Sequence, residues 1–419
     1  MRNIKLPDEV LFILNKLDAN DYEAYVVGGC VRDSLLGIKP HDWDICTSAL
    51  PEQIVEVFSE YKVLLTGLQH GTVTIVIDTK PFEITTYRID GEYKDNRHPS
   101  KVEFISDLKL DLMRRDFTIN AMAYNYKHGL IDYFHGLDDL DNRIIRCVGN
   151  PTERFKEDAL RMIRAIRFAV RYNCNIDTVT LKALFDNKDL IKNISFERIS
   201  SEITKILDYP NNLDSVLLLE YLIDLLKPII PDMYTLDLNS VCERLVKSNL
   251  ILKLRLAILF DFSNIESVMK RLRFSNSIIQ DTLSIRNIGY DIYREISVTD
   301  ENDYKYYARK LLNRDKYDNL IYAIQYSLLL AMYNDRRLIP MIELLRSKFN
   351  ESYAKADVYN ISRLDINGSD LLELGYSGRQ IGYILNTLLD MVMQDKIPNI
   401  KDKLIENIYQ IEQEQNVKL

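Results

Sequence analysis

Apolar and polar residues alternate along the first third of the chain, as they do in β-strands with one buried face. Residues 72–77 (Thr-Val-Thr-Ile-Val-Ile) and 82–87 (Phe-Glu-Ile-Thr-Thr-Tyr) are rich in β-branched and aromatic residues. After about residue 150 the alternation fades, and apolar residues recur at helical spacing, as at Leu218, Leu222 and Leu225. The pattern predicts an α+β amino-terminal part followed by an all-helical remainder.

The composition is that of a globular protein with several domains. A chain of 419 residues exceeds what one hydrophobic core usually serves. No run of about 18 apolar residues occurs, so no membrane span is expected, and the first residues lack the apolar core of a signal peptide. The five cysteines form no Cys-x-x-Cys pair, which indicates a reduced, cytoplasmic protein without a zinc site.

Charge is unevenly distributed along the chain. The net charge of −8 disfavours a protein that coats nucleic acid non-specifically, but local basic clusters leave RNA binding open. One cluster holds Arg164, Arg167 and Arg171, which would share a stripe of a helix. They would bind RNA phosphate there, or pair with acidic residues elsewhere in the fold.

The stretch with the clearest chemistry begins at Gly28-Gly29 and ends at Asp42-Trp43-Asp44. On a strand, residues two apart point to the same face, so Asp42 and Asp44 would place two carboxylates side by side. Such carboxylates repel unless a cation lies between them, and hard oxygen ligands suit Mg²⁺. Gly28 and Gly29 let the backbone approach a ligand, and their amides can face a phosphate. Either motif alone is common in loops and turns, but together they predict two-metal nucleotidyl transfer.

Neighbouring residues would complete this site. Asp42 and Asp44 would hold two Mg²⁺ ions, and Arg32 would neutralise phosphate charge in a triphosphate pocket. Asp33 would orient Arg32 or cap the next helix. Glu83, on a later strand, is either a third carboxylate ligand or a residue that orients the other two.

A second motif spans residues 114–123. One interpretation makes it the start of a helix capped by Asp116. The other assigns Arg115 to phosphate, and Asp116 with Asn120 to ribose hydroxyls. On a helix, Asp116 and Asn120 are four residues apart and share a face.

A third motif, residues 157–161, reads Glu-Asp-Ala-Leu-Arg. On a helix, Asp158 and Arg161 are neighbours, and most such pairs are surface ion pairs of little energetic value. The pair has another use, because a carboxylate accepts from an exocyclic amino group while a guanidinium donates to a ring acceptor. Cytosine and adenine both present that combination, whereas uracil and guanine present a carbonyl and a protonated ring nitrogen. One Asp/Arg pair could therefore select C and A.

In this order the motifs resemble those of the class II tRNA nucleotidyltransferases, the CCA-adding enzymes, within the nucleotidyltransferase and poly(A) polymerase superfamily. The matching pieces are residues 28–33, 42–44, 114–121, 136–149, 157–161, 196–202, 368–372 and 378–382. The resemblance implies a polymerase-β-like catalytic head over 1–143 and an all-α neck over 144–205 that carries the base template. It further implies a helical body over 206–335 and a helical, tRNA-binding tail over 336–419.

The function implied by this resemblance is the addition of C, C and A to the 3′ end of tRNA from CTP and ATP, with Mg²⁺ and release of pyrophosphate. An A-adding tRNA nucleotidyltransferase or a poly(A) polymerase is the alternative. Residues 90–99 look like the family's intact flexible loop, which favours A addition. An RNA-binding protein with an inactive head would require loss of Asp42 or Asp44, and both are present. Phe260 stands where some relatives have the His of a His-Asp phosphohydrolase, so that activity is not predicted. Oligomeric state stays open between monomer and homodimer.

Overall fold

The computed structural model describes residues 3–65, 67–91, 102–209 and 215–414. The chain divides into two compact units, one of residues 1–236 with 271–273, the other of residues 237–270 with 274–419. The four-part division into head, neck, body and tail stays a prediction. Within the described ranges, none of the helices combines the length and apolar character needed to cross a membrane.

The strands lie in the first unit. They are β1 (Ala24–Val27), β2 (Ile45–Thr47), β3 (Lys62–Leu64), β4 (Thr72–Ile77), β5 (Lys80–Thr86), β6 (Arg88–Asp90), β7 (Val102–Phe104), β8 (Ala123–Asn125), β9 (Gly129–Ile131), β10 (Ile144–Ile145) and β11 (Asn175–Ile176). The main sheet has the order β3-β4-β5-β2-β1-β8-β9. Neighbouring strands in it are antiparallel except β2 and β5, which are parallel.

Helices flank this sheet and continue beyond it in the same unit. They are α1 (Asp8–Asp18), α2 (Gly29–Leu35), α3 (Pro51–Val57), α4 (Leu108–Met113), α5 (Gly136–Asp141), α6 (Pro151–Glu157), α7 (Leu160–Tyr172), α8 (Thr178–Asp186), α9 (Phe196–Leu207) and α10 (Ser215–Leu226). Helix α7 packs against α9 and α10.

In the second unit, every described element of regular secondary structure is a helix. Its helices are α11 (Leu238–Lys247), α12 (Leu252–Leu259), α13 (Ile265–Arg271), α14 (Asn276–Glu295), α15 (Tyr304–Leu312), α16 (Tyr317–Asn334), α17 (Ile339–Ala354), α18 (Gly368–Glu373), α19 (Arg379–Met393) and α20 (Lys401–Glu414). One apolar cluster joins α14, α15, α16 and α17, and another joins α18, α19 and α20. Asp261, after α12, accepts hydrogen bonds from two arginines and Tyr290.

The sheet has one face fully covered and one face partly open. Along β4, Val73, Ile75 and Ile77 are buried, while the alternating residues are half-buried. Their buried side faces the helices, as expected for an alternating strand. On the opposite face an apolar cluster that includes Tyr25 and Cys46 covers β1, β2 and β8 together with α4. Among the described residues, that face is open over β3, β4 and β5, where Leu64 and Glu83 are exposed and Thr74 is half-buried.

The predicted α+β head followed by helices is confirmed. Strand β4 covers the predicted 72–77, and β5 begins two residues before the predicted 82–87 because it pairs with β4 as far as Ile77–Lys80. The local exceptions are β10 and β11, which lie in the part expected to be helical, residues 144–205. Asn173 adopts a left-handed conformation after α7 and turns the chain back, so that β11 can pair with β10. Most of the predicted loop over 90–99 lies outside the described residues.

Candidate active site

Asp42 and Asp44 lie in the segment that leads into β2. The strand begins at Ile45, so the prediction that both carboxylates lie on a strand was wrong. The chain turns into α2 after Val27, which leaves the residues before Asp44 without a partner strand. The Val27 amide still donates to the carbonyl of Asp44 at 3.0 Å, which continues the pairing by one residue. Because Ile45 pairs with Ile84 in a parallel register, Asp44 lies beside Glu83.

Negative charge accumulates around Asp44. Its pKa is raised above the ordinary range, mainly because neighbouring atoms withdraw the carboxylate from water, and next because of the charge on Asp42. Arg115 opposes this shift and Glu83 adds to it. The side chain nevertheless keeps accessible surface, so it remains open to a ligand.

The carboxylates of Asp42, Asp44 and Glu83 have unused acceptor capacity. Within the described ranges no hydrogen bond or ion pair engages them, and no group of three or more His, Cys, Asp or Glu side chains is arranged to hold a metal. The donor set is therefore an oxygen-only carboxylate pair, Asp42 and Asp44, with Glu83 adjacent. Such a set fits a hard divalent cation that keeps other positions for water or phosphate.

The glycine pair shapes the wall next to Asp44. Gly28 has φ +75°, and a Cβ there would lie 2.9 Å from Nη1 of Arg115. Only glycine tolerates both conditions. The prediction that both glycine amides face a phosphate was wrong for Gly28, because its amide donates to the Met122 carbonyl at 3.2 Å. Gly29 begins α2, and its amide has no acceptor within the helix.

Arg32 is buried and held in a fixed orientation. Its Nε and Nη2 donate to Oδ1 of Asp33 at 2.9 and 2.7 Å, and its Nη1 donates to Oδ1 of Asn120. The guanidinium lies against the rings of Phe168 and Tyr172. The Tyr172 hydroxyl donates to Asp33 at 2.8 Å. Asp33 therefore orients Arg32, which is one of its two predicted roles.

The prediction of a helix over residues 114–123 was wrong. Residues 118–120 form a single 3₁₀ turn, and Phe117 bridges to Cys147 as an isolated β-bridge. A backbone pairing made by the tertiary fold has replaced the local helix here. Asp116 and Asn120 meet nonetheless, since Nδ2 of Asn120 donates to Oδ1 of Asp116 at 2.9 Å.

Asp116 is the central acceptor of this region. Nε of Arg164 donates to its Oδ2 at 2.9 Å, and Nη2 donates to the same atom at 2.5 Å. Burial alone would raise the pKa of Asp116, but the charge of Arg164 and the hydrogen bonds from Asn120 and Arg164 hold it well below the ordinary range. The carboxylate is therefore ionised at neutral pH.

Asp158 and Arg161 do not form the ion pair that their spacing predicts. Asp158 has an extended conformation between α6 and α7, and its Oδ1 accepts from the Leu160 amide at 3.1 Å. Its Oδ2 accepts from Nη2 of Arg198, 2.9 Å away. The helix break separates Asp158 from Arg161, which pairs instead with Glu157 at 2.7 Å. Arg198 thus fixes Asp158, and Glu157 fixes Arg161, so the two residues of the predicted base template have separate partners.

The arginines of α7 pair with acidic side chains within the first unit, which is one of the two predicted outcomes. Arg164 pairs with Asp116, as above. Arg167 pairs with the buried Glu202 at 2.6 Å, and Arg171 lies 3.5 Å from Asp33.

These elements surround one polar cavity of about 450 Å³, a volume within the range of small-molecule sites. Among the described residues that line it, arginine outnumbers aspartate eight to three. The lining residues are Gly28, Gly29, Arg32, Asp44, Arg114, Arg115, Asp116, Asn120, Asp158, Leu160, Arg161, Arg164, Arg167, Phe168, Arg171 and Arg198. A strongly basic cavity with Asp44 on its wall suits a polyanion that also carries a metal ion.

Sequence reasoning assigned no role to Arg198, Phe168 or Tyr172. Arg198 lies on α9, forty residues after its partner Asp158, so local spacing could not pair them. Phe168 and Tyr172 are four residues apart on α7, a spacing that also fits an ordinary apolar face. Only the contact with Arg32 distinguishes them.

Family models match successive parts of the chain. Residues 24–146 match the model described as "Poly A polymerase head domain". Residues 173–236 match "Probable RNA and SrmB- binding site of polymerase A", and residues 247–408 match tRNA nucleotidyltransferase domain 2.

Curated relatives match along nearly the whole chain. The CCA-adding enzyme of Oceanobacillus iheyensis is 35% identical over 407 residues, covering 93% of this chain and 94% of the relative. That of Ligilactobacillus salivarius is 37% identical over 422 residues, covering 96% of each chain.

Solved structures share the fold. The Bacillus stearothermophilus CCA-adding enzyme in complex with CTP has a TM-score of 0.73 at 28% identity, covering 97% of this chain and 98% of the other. The Thermotoga maritima CCA-adding enzyme complexed with tRNA_CCA also has a TM-score of 0.73, at 23% identity and 97% coverage of each chain, and shows the shared fold alone.

Proposed function

The chain belongs to the CCA-adding enzymes, the class II tRNA nucleotidyltransferases, and we propose that it adds C, C and A to the 3′ end of tRNA from CTP and ATP. The observation that carries the proposal is the arginine-rich cavity with Asp44 on one side and the Asp158–Arg161 segment on another. Its lining combines groups suited to phosphate and metal with groups suited to a base edge. A nucleoside triphosphate carries both phosphates and a base edge.

The proposed reaction transfers one nucleotide at a time. The terminal 3′-hydroxyl oxygen of the tRNA bonds to the α-phosphorus. The bond from that phosphorus to the pyrophosphate oxygen breaks, and the hydroxyl proton passes to solvent. Arg32 and Arg115 would neutralise the charge that moves onto the leaving pyrophosphate. Because Asp33, Asn120 and two aromatic rings already fix Arg32, little reorganisation is needed at that step.

Asp42 and Asp44 would hold the divalent metal. The charge of Asp42 acts on Asp44, and no described partner uses their carboxylate oxygens. Bound there, Mg²⁺ would activate the 3′-hydroxyl and stabilise the pyrophosphate. Glu83 would either join as a ligand or keep the pair oriented through its charge, and its place beside Asp44 is compatible with both roles.

Base selection would rest on Asp158 and Arg161. Asp158 would accept from the exocyclic amino group of C or A, and Arg161 would donate to the adjacent ring nitrogen. Both side chains are held by other residues, Asp158 by Arg198 and Arg161 by Glu157. A fixed donor and acceptor discriminate better than mobile ones, because a mismatched base leaves them unpaired.

Asp116, Asn120, Arg164 and Arg167 would form the wall between the groups for phosphate and the groups for the base. Asn120 contacts both Arg32 and Asp116, so it connects the phosphate side with α7. Its place supports the proposed contact with the ribose hydroxyls.

A primer-extension assay with Mg²⁺ tests the proposal. The substrates are a tRNA truncated before CCA, the same tRNA ending in CC, and an unstructured oligo(A), each with CTP, ATP or both. We expect C, C and A to be added to the first tRNA, followed by a stop. Extension of the CC-ending tRNA alone would indicate an A-adding enzyme, and long A tails on any RNA would indicate a poly(A) polymerase.

A further inference from the structure

The open face of the sheet continues directly from the carboxylates. In the register of β2, β5, β4 and β3, one row across the sheet runs from Asp44 through Glu83 and Thr74 to Leu64. Strands in a sheet are about 4.8 Å apart, so this row is about 14 Å long. That length is enough for three or four stacked nucleotides at about 3.4 Å each.

The chemistry of this open face differs from that of the cavity. Beyond Glu83, the row continues through the hydroxyl of Thr74 on β4 to the exposed Leu64 on β3, and neither residue carries a carboxylate. Thr74 is half-buried, and its hydroxyl has no hydrogen-bond partner among the described residues. The hydroxyls of Thr72 and Thr85 lie 3.0 Å apart in the next row. Hydroxyls that both donate and accept suit the phosphates and 2′-hydroxyls of an RNA strand.

Lys62 places a cation at the outer edge of this face. Lys62 on β3 is exposed and forms no ion pair within the described ranges. It projects on the same face as Thr74, since both Lys62 and Leu64 pair with alternate residues of β4. An ammonium at that position would meet an RNA phosphate.

The geometry of in-line displacement determines from which side of Asp44 the attacking 3′-hydroxyl approaches. The attacking and leaving oxygens stand on opposite sides of the transferred phosphorus. The arginine-lined cavity is on the β1 and α2 side of Asp44, so the leaving pyrophosphate belongs there. The attacking 3′-hydroxyl must then arrive from the β5 side.

We infer that the open face of β3, β4 and β5 is the track that holds the last nucleotides of the tRNA 3′ end. Thr74 and Lys62 are its contact residues. The inference rests on the proposed function and adds to it the position of the second substrate. The strand would cross the sheet from Lys62 towards Glu83 and Asp44.

Steady-state kinetics of C addition test the track. The variants are Thr74→Val, which removes the hydroxyl but keeps a β-branched side chain, and Lys62→Gln. For each we expect KM for the truncated tRNA to rise about twofold to tenfold, with KM for CTP unchanged. Lys62→Gln should also reduce the slope of log KM for tRNA against log salt by about 0.7, the value for one phosphate contact on a single strand.

Matched variants control for structure and charge. Thr74→Ser keeps the hydroxyl and should restore KM for tRNA to the wild-type value. Lys127→Gln removes a lysine at the far end of the sheet, which pairs with Asp18, and should leave both KM values unchanged. KM for tRNA within the error of wild type in both Thr74→Val and Lys62→Gln would overturn the inference. Absence of C addition by the wild-type enzyme would instead reject the proposed function.

Cross-linking in the wild-type protein gives a measurement that does not depend on how the variants fold. A truncated tRNA that carries 4-thiouridine in its last nucleotides is irradiated on the enzyme, and the linked peptides are identified. We expect links to residues 62–64, 72–76 and 81–85. Links confined to α7 or α9 would place the strand on the opposite side of Asp44 and overturn the inference.

Discussion

Replacing Asp158 by Asn tests base selection with little change in shape. In the wild-type protein the Oδ1 and Oδ2 atoms of Asp158 each accept one hydrogen bond, from Leu160 and Arg198, and still have lone pairs for a base. The amide removes the negative charge and adds a donor. Cytosine then exchanges a charge-assisted hydrogen bond for a neutral one, while O4 of uracil gains a donor.

The weaker hydrogen bond to cytosine and the new hydrogen bond to uracil both reduce discrimination between CTP and UTP. A hydrogen bond to a charged group contributes about 1 kcal/mol more than a neutral one, and the new bond to uracil contributes about 1 kcal/mol. Discrimination between CTP and UTP should therefore fall by about 2 kcal/mol, or about 30-fold.

The assay is single-nucleotide addition to truncated tRNA, with kcat/KM measured for CTP and for UTP. Glu153→Gln is the matched control, because it neutralises an exposed carboxylate on α6 outside the cavity. We expect the control to keep the wild-type ratio of the two kcat/KM values. A ratio for Asp158→Asn within about threefold of wild type would refute a templating role for this residue.

Other substitutions test the remaining parts of the site. Asp42→Ala and Asp44→Ala should each abolish nucleotide addition, whereas tRNA binding measured by filter retention should survive. Wild-type turnover in either variant would refute the metal assignment. Gly28→Ala should raise KM for CTP and lower the free energy of unfolding in urea by about 1–3 kcal/mol, since its positive φ excludes other residues; an unchanged KM would contradict this. Asp116→Asn should lower the free energy of unfolding by about 2 kcal/mol at pH 7, because it breaks the ion pair with Arg164. The loss is smaller than for a fully buried ion pair, since Arg164 keeps a third of its side chain in water. The folded-state pKa of Asp116 is depressed, so this difference should shrink as pH falls below the ordinary aspartate range, and a pH-independent difference would count against the ion pair.

Local patterns in the sequence predicted two of the strands, β4 and β5, and the fold class. The alternation over 72–77 corresponds to β4 residue for residue, because one face of that strand is buried and the other is not. The glycine pair and the two aspartates were found together because their chemistry depends on residue type and short spacing. These features depend on neighbours close in the chain.

Contacts between distant segments could not be predicted in the same way. The segment after Asp116 forms a bridge to Cys147 instead of a helix, and the partner that decides this is thirty residues away. The break between α6 and α7 sends Asp158 to Arg198 on another helix, although spacing alone suggested Arg161. The open sheet face is visible only in the register of four strands. In each case, contacts between segments that are distant in the chain outweigh the weak local preference for helix or strand.

We expect one protein-lined cavity to accept both CTP and ATP and to reject UTP and GTP. Trp43, between Asp42 and Asp44, is the one tryptophan in the sequence and provides a fluorescence signal next to these two carboxylates. The most direct measurement is equilibrium binding of each nucleotide with Mg²⁺, followed by displacement of bound CTP by ATP. We expect one nucleotide per chain, full mutual displacement of CTP and ATP, and binding of UTP and GTP at least about tenfold weaker. Simultaneous binding of CTP and ATP to one chain, or equal affinity for all four nucleotides, would contradict this expectation.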